Sequence, residues 1–93
     1  MKKENRLIKL LFRPKPLRMI LSLNDGPKYI SVISKETDCT YSHTIKVLEE
    51  LKEHGLIEFT KSGRIKVVTV TKKGEEILKL IKNLNEKINN IVK

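Results

Sequence analysis

A single cysteine, Cys39, leaves no partner for an intrachain disulfide, and two histidines, His43 and His54, are too few to complete a structural zinc site with it. Cys39 and His43 stand four residues apart, which leaves two readings: a metal bridged across two copies of the chain, or a small buried thiol in a turn. No stretch approaches the roughly 20 consecutive apolar residues that a membrane-spanning helix needs. The opening segment resembles a secretory leader only superficially. Lys9 and Arg13 interrupt its apolar run and no small-residue cleavage site follows, so an intracellular, cytoplasmic protein is expected. The chain also lacks a Ser/His/Asp set, paired carboxylates and a glycine-rich phosphate loop. Lys61-Ser62-Gly63 and Lys72-Lys73-Gly74 do not have the spacing of one. No catalytic residue, metal or cofactor is therefore expected.

Acidic residues are also in short supply. Twenty Lys and Arg stand against 11 Asp and Glu, a formal charge of +9 with a pI near 9.8. Such an excess attracts polyanions at long range, although a basic surface that is merely solvated has the same composition. With 93 residues there is room for one domain, which buries roughly two-thirds of its unfolded surface. A long apolar stripe then calls for a partner.

Along the chain, residues 3 to 12 place Leu7, Ile8, Leu11 and Phe12 on one stripe, an amphipathic arm stopped by Arg13-Pro14-Lys15-Pro16. A second helix is expected from Pro16 or Leu17, carrying Leu17, Ile20, Leu21 and Leu23 inward to a turn at Asn24-Asp25-Gly26-Pro27. Tyr29-Ile30 can add to a sheet edge. Ser31 is the expected cap of a brief helix, Val32 to Thr37, that buries Val32 and Ile33. After a turn at Asp38-Cys39, Thr40 caps a helix reaching His54, and two helices so joined form a helix-turn-helix pattern.

In that helix Tyr41, Thr44, Ile45, Leu48 and Leu51 recur at helical spacing, opposite Ser42, His43, Lys46, Glu49, Glu50 and Glu53. Gly55 ends it. Leu56 to Thr60 and Ile65 to Val70 then read as a hairpin around the basic tip Lys61-Ser62-Gly63-Arg64. Thr71 caps a final helix from Lys72 to about Val92. Its Ile77, Ile81, Leu84, Ile88 and Ile91 are spaced as a coiled-coil seam, here over about two heptads. Either the seam pairs with a second copy, together with Leu7 and Leu11 of the arm, or the helix covers its own domain.

This order resembles a winged helix-turn-helix domain, and more narrowly the MarR-like and related archaeal and bacterial transcriptional regulators. The resemblance rests on Leu48-Glu49-Glu50-Leu51-Lys52-Glu53-His54-Gly55-Leu56-Ile57, similar to the Leu-x-x-Leu-x-x-x-Gly-Leu-Ile/Val end of a recognition helix. It rests also on Val70-Thr71-Lys72-Lys73-Gly74, similar to a Leu-Thr-x-x-Gly opening after the wing. It covers about residues 16 to 80 and implies a mostly α, α+β fold with a two- to three-stranded wing and a long C-terminal dimerisation helix. The domains expected are an arm (1–15), the winged helix-turn-helix (16–71) and the final helix (72–93).

By that resemblance the protein is a sequence-specific regulator of transcription, expected to be a repressor, bound to double-stranded DNA as a homodimer in association with the nucleoid. Thr40, Tyr41, Ser42, His43 and Lys46 would meet the major groove and its phosphates, and Lys61, Ser62, Arg64 and Lys66 of the wing the flanking minor groove. Tyr41 keeps a second reading, because it also falls on the apolar stripe. Glu49, Glu50 and Glu53 repel phosphate, which restricts insertion to the N-terminal half. The chain departs from MarR-like proteins in its shortness, which withholds their small-molecule pocket between dimer helices, so an effector remains unknown. It also lacks an ArsR-type metal-sensing cluster. Two alternatives stand beside this reading: a winged helix that binds protein, and a non-specific architectural DNA-binding protein.

Overall fold

The computed structural model describes residues 3–92; Met1, Lys2 and Lys93, the ends of the expected arm and final segment, lie outside the described residues. Helices α1 (Lys3–Leu11) and α2 (Pro14–Ser22) are followed by a 3₁₀ turn (Leu23–Asp25) and a short strand β1 (Lys28–Tyr29). Then come α3 (Ile30–Glu36), α4 (Tyr41–Glu53), strands β2 (Ile57–Ser62) and β3 (Ile65–Val70), and the long α5 (Lys72–Val92). The sheet is antiparallel with order β1-β3-β2, and Tyr29 pairs with Val67 at its edge.

Both prolines of Arg13-Pro14-Lys15-Pro16 lie in the first turn of α2, where a missing N–H costs nothing and a fixed φ favours the helix. The second helix therefore starts at Pro14, earlier than expected, and buries Met19 as well as Ile20, while Leu23 is buried in the 3₁₀ turn that follows it. Leu17 and Leu21 are only half-buried. On α1 the residue driven inward is Leu10; Ile8 is exposed and Phe12 is 76% exposed, which narrows the expected stripe.

The short third helix corrects a second expectation. It begins at Ile30 with Tyr29 as an N-cap that makes no side-chain bond, so Ser31 is not its cap. Beginning two residues earlier brings Ile30 into the helix, three residues before Ile33 and on the same face, whereas Val32 lies about 100° round from Ile33. Ile30 and Ile33 fill the core and Val32 is exposed.

The hairpin is tighter than expected. Strand β2 runs to Ser62, so Lys61 and Ser62 are paired with Lys66 and Ile65, and the loop shrinks to Gly63-Arg64. Gly63 has φ +66, the positive value that the first position of a two-residue type II′ loop requires.

Thr71 joins the hairpin to α5. Its hydroxyl donates to the Gly55 carbonyl and accepts from the Gly74 N–H at 3.0 Å, capping α5 while holding the end of α4. A Cβ at position 74 would collide with the Leu56 carbonyl oxygen and the Val70 side chain, so glycine there allows α5 to lie against the chain leaving α4. The Thr-x-x-Gly motif thus has a local physical cause. One core results, built from Leu10, Met19, Ile20, Ile33, Val47, Leu48, Leu51, Leu56, Ile57, Val68 and Leu78 of all the helices and both long strands.

Candidate nucleic-acid interface

Helix α4 divides along its length and around its axis. Thr44, Val47, Leu48 and Leu51 are buried, and Thr44 is satisfied there because its hydroxyl donates to the Thr40 carbonyl at 2.8 Å. Val47 was not on the expected stripe, and Ile45 is only half-buried. Tyr41 is 54% exposed, so the core reading of that side chain falls. Ser42 and Lys46 are exposed and His43 is partly so.

Thr40 caps the helix as expected, its Oγ1 accepting from the His43 N–H at 3.2 Å. Capping occupies an acceptor lone pair, and the hydroxyl proton remains for an outside oxygen. The turn before it passes through Asp38 at φ +54, a left-handed conformation that a short polar residue tolerates best. That turn is held from α2: the Lys15 Nζ donates to the carbonyls of Thr37 at 2.9 Å and Asp38 at 3.0 Å.

Beside α4 stands the wing, and between them lies a cleft of about 350 Å³. Tyr29, Ser31, Tyr41, Glu49, Arg64 and Lys66 line it over Ile30, Ile45, Phe59 and Ile65. The structure thus brings Tyr41 together with Arg64 and Lys66. Lys61 and Ser62, on the outer strand, do not line this cleft. Glu49 does, so one of the three glutamates faces the wing. The Nζ atoms of Lys66 and Lys52 lie 5.7 and 5.4 Å from the centre of the Phe59 ring, a cation–π arrangement that steadies both.

Lys61 and Lys66 are direct cross-strand partners, and like charges so placed oppose pairing unless an outside anion neutralises them. Within the described residues both ion pairs belong to Lys28, with Glu36 at 2.6 Å and Asp25 at 3.8 Å. The cations of α4 and the wing therefore have no acidic partner among the described residues. Tyr29, Ser31 and Lys15 were missed from the sequence. The first two have a faint signal, polar residues opening a helix, whereas Lys15 bonds carbonyls more than 20 residues away and leaves none.

The expected dimer residues separate into two groups. Leu7, Leu11, Ile77 and Ile81 are half-buried and pack against the chain's own core, while Leu84, Ile88 and Ile91 are exposed, the last at 80%. Leu11, Phe12, Leu17, Leu21, Ile77, Leu80, Ile81, Leu84 and Ile88 line an apolar groove of about 340 Å³ between α5 and the α1–α2 pair. The first turns of α5 cover the domain and the later ones are uncovered. Cys39 is half-buried, its Sγ 3.5 Å from the Thr37 carbonyl, and no group of three His, Cys, Asp or Glu among the described residues is placed to hold a metal. No described helix is long and apolar enough to cross a membrane.

Three helices, the second pair joined by a tight turn and followed by a two-stranded wing with a third short strand at its edge, define a winged helix-turn-helix domain. More specifically, the chain belongs to the family of the DUF6293 C-terminal winged helix domain, which matches residues 24–82. A curated protein of Archaeoglobus fulgidus, itself uncharacterised, is 29% identical over 86 residues, 87% of this chain and 90% of that protein. A crystal structure from the same organism superposes with TM-score 0.76 at 28% identity, covering 88% of this chain and 96% of that one. The fold is shared with a homodimeric winged helix-turn-helix DNA-binding domain of Mycobacterium bovis, described as from a possible ArsR-family transcriptional regulator: TM-score 0.79, 19% identity, 90% and 79% coverage. ZitR of Lactococcus lactis has the same fold at TM-score 0.80 and 16% identity, with 96% and 69% coverage.

Proposed function

We propose that this protein is a sequence-specific regulator of transcription, a repressor of MarR-like type that binds double-stranded DNA as a homodimer in the cytoplasm, on the nucleoid. Residues 16–71 act as the DNA reader, and residues 1–15 and 72–93 supply the dimer face. The observation that carries this reading is the set of exposed side chains at the start of α4, Thr40, Tyr41, Ser42 and Lys46 with the partly exposed His43, beside a wing whose cations have no acidic partner among the described residues. A major groove admits one such helix, and its base edges offer patterns that Ser42 and His43 can donate to or accept from. Tyr41 and Thr40 reach adjacent phosphates; Arg64 at the wing tip enters the flanking minor groove, where Lys61, Ser62 and Lys66 lie along the backbone.

The apolar groove along α5 favours a protein partner on that face, and a second copy of the chain satisfies it while placing two α4 helices on a pseudo-palindrome with half-sites roughly 34 Å apart. Selection of genomic fragments by the purified protein at near-physiological salt tests the reading. An enriched two-fold motif is expected; a featureless pool leaves architectural binding. On the selected duplex, Lys46→Ala and Arg64→Ala should each weaken binding by about 1–3 kcal/mol in a polarisation titration. Unchanged affinity in both would remove the site assignment.

A further inference from the structure

The helix that reads the groove carries little of the charge that holds DNA. Across α4, Lys46 and Lys52 are outnumbered by Glu49, Glu50 and Glu53, and the wing strands and loop add Lys61, Arg64 and Lys66 against Glu58. Residues 1–18, by contrast, contain seven basic residues against Glu4 alone, so six of the nine net charges of the chain reside there. Affinity for duplex comes chiefly from phosphate contacts. The largest share of this chain's charge therefore lies outside the helix-turn-helix and wing.

The structure brings part of that segment to the reading head. Lys15 spends two of its three N–H donors on the carbonyls of Thr37 and Asp38, the turn that leads into Thr40, and so anchors the start of α2 beside the start of α4. Its third donor remains. Arg18 is three residues further on the same face of α2, and Arg13 is the N-cap residue two positions before Lys15. Both arginines are exposed, and neither they nor Lys15 has an acidic partner within 4.0 Å among the described residues. Asp38 contributes its carbonyl to Lys15, not its carboxylate.

We infer that Arg13, Lys15 and Arg18 form a third arm of the interface, which takes the phosphodiester backbone of the duplex next to the groove entered by α4. The inference rests on the DNA-binding reading above. Guanidinium groups suit the task because their fork pairs with two phosphate oxygens at once. The contacts carry no sequence information. They set how deeply the N-terminal half of α4 is pressed into the groove and supply the affinity that its glutamates subtract.

The test is a salt titration of duplex binding by polarisation with four proteins: wild type, Arg13→Ala/Arg18→Ala, Lys46→Ala, and a control that removes the same charge as the arginine pair, Lys79→Ala/Lys82→Ala on α5. The plot of log K against log salt should flatten by about one for each phosphate that the arginine variant no longer neutralises, with base preference retained and the control unchanged. Thermal unfolding followed by circular dichroism verifies that the variants are folded. An unchanged slope in the arginine variant, while Lys46→Ala still weakens binding, overturns the inference and leaves the regulator reading standing. Equal flattening in both double variants also overturns it, since bulk charge alone would then be at work. A wild type that binds no duplex ends the regulator reading itself.

Discussion

Helices α4 and α5 are both amphipathic, and they dispose of their apolar faces in opposite ways. Four residues of α4 are buried within the chain, and nothing large and apolar on it is left exposed except Tyr41 at its polar end. The longer α5 buries only Gly74 and Leu78 and leaves Leu80, Leu84, Ile88, Ile91 and Val92 open. A helix that completes its own core is fixed in place before it meets anything. A helix with most of its stripe unburied has surface that water disfavours, and covering it requires another molecule. Under the function proposed above, the first arrangement serves a rigid reader and the second a contact between copies.

The comparison is broken most severely by Leu48→Ala, which removes a side chain with no exposure from the centre of α4. It should cost about 2–5 kcal/mol in urea unfolding, from lost transfer energy and the cavity left behind. Thr40→Ala acts on the same helix at its polar end and should cost about 1 kcal/mol, because the His43 N–H loses its acceptor. A mere fraction of a kcal/mol would show that the α2 anchor through Lys15 holds the helix start by itself. The mildest effect on the monomer belongs to Leu84→Lys/Ile88→Lys. At exposed positions this pair should change unfolding free energy by about 0.5 kcal/mol or less, yet it should convert a dimer to a monomer in sedimentation. Sedimentation unchanged from wild type would remove the seam.

The pattern of elements was legible because its causes are local. Thr40 and Thr71 cap helices through bonds spanning three residues, Gly63 turns a hairpin within two, and the spacing of Leu48 and Leu51 fixes a buried face wherever the helix docks. The inward face was misjudged most where a helix was short. In α3, two residues at the start decided whether Ile30 or Val32 went inside, and pairing of Tyr29 with Val67 settled that from 38 positions away. On α1, which packs on α2, Leu10 is inside and Ile8 is not, and Phe12 just beyond its end is exposed as well.

Of the candidate interface, Ser42, His43 and Lys46 could be named in advance because an amphipathic helix exposes its polar side whatever it packs on. The neighbourhood of Tyr41 could not. Its exposure, and its meeting with Arg64, Lys66, Tyr29 and Ser31 across one cleft, depend on how the wing folds back beside α4. Lys15 is the sharpest case, since bonds to Thr37 and Asp38 have no trace in local pattern.

Local chemistry, acting over a few residues, set the caps at Thr40 and Thr71, the breaks at Gly55 and Gly63, the helical periods and the sign of the charge. Only the tertiary structure decided which cations surround the start of α4 and how much of the α5 stripe is left uncovered. Both depend on segments far apart in the chain, brought together by burial that no local pattern records.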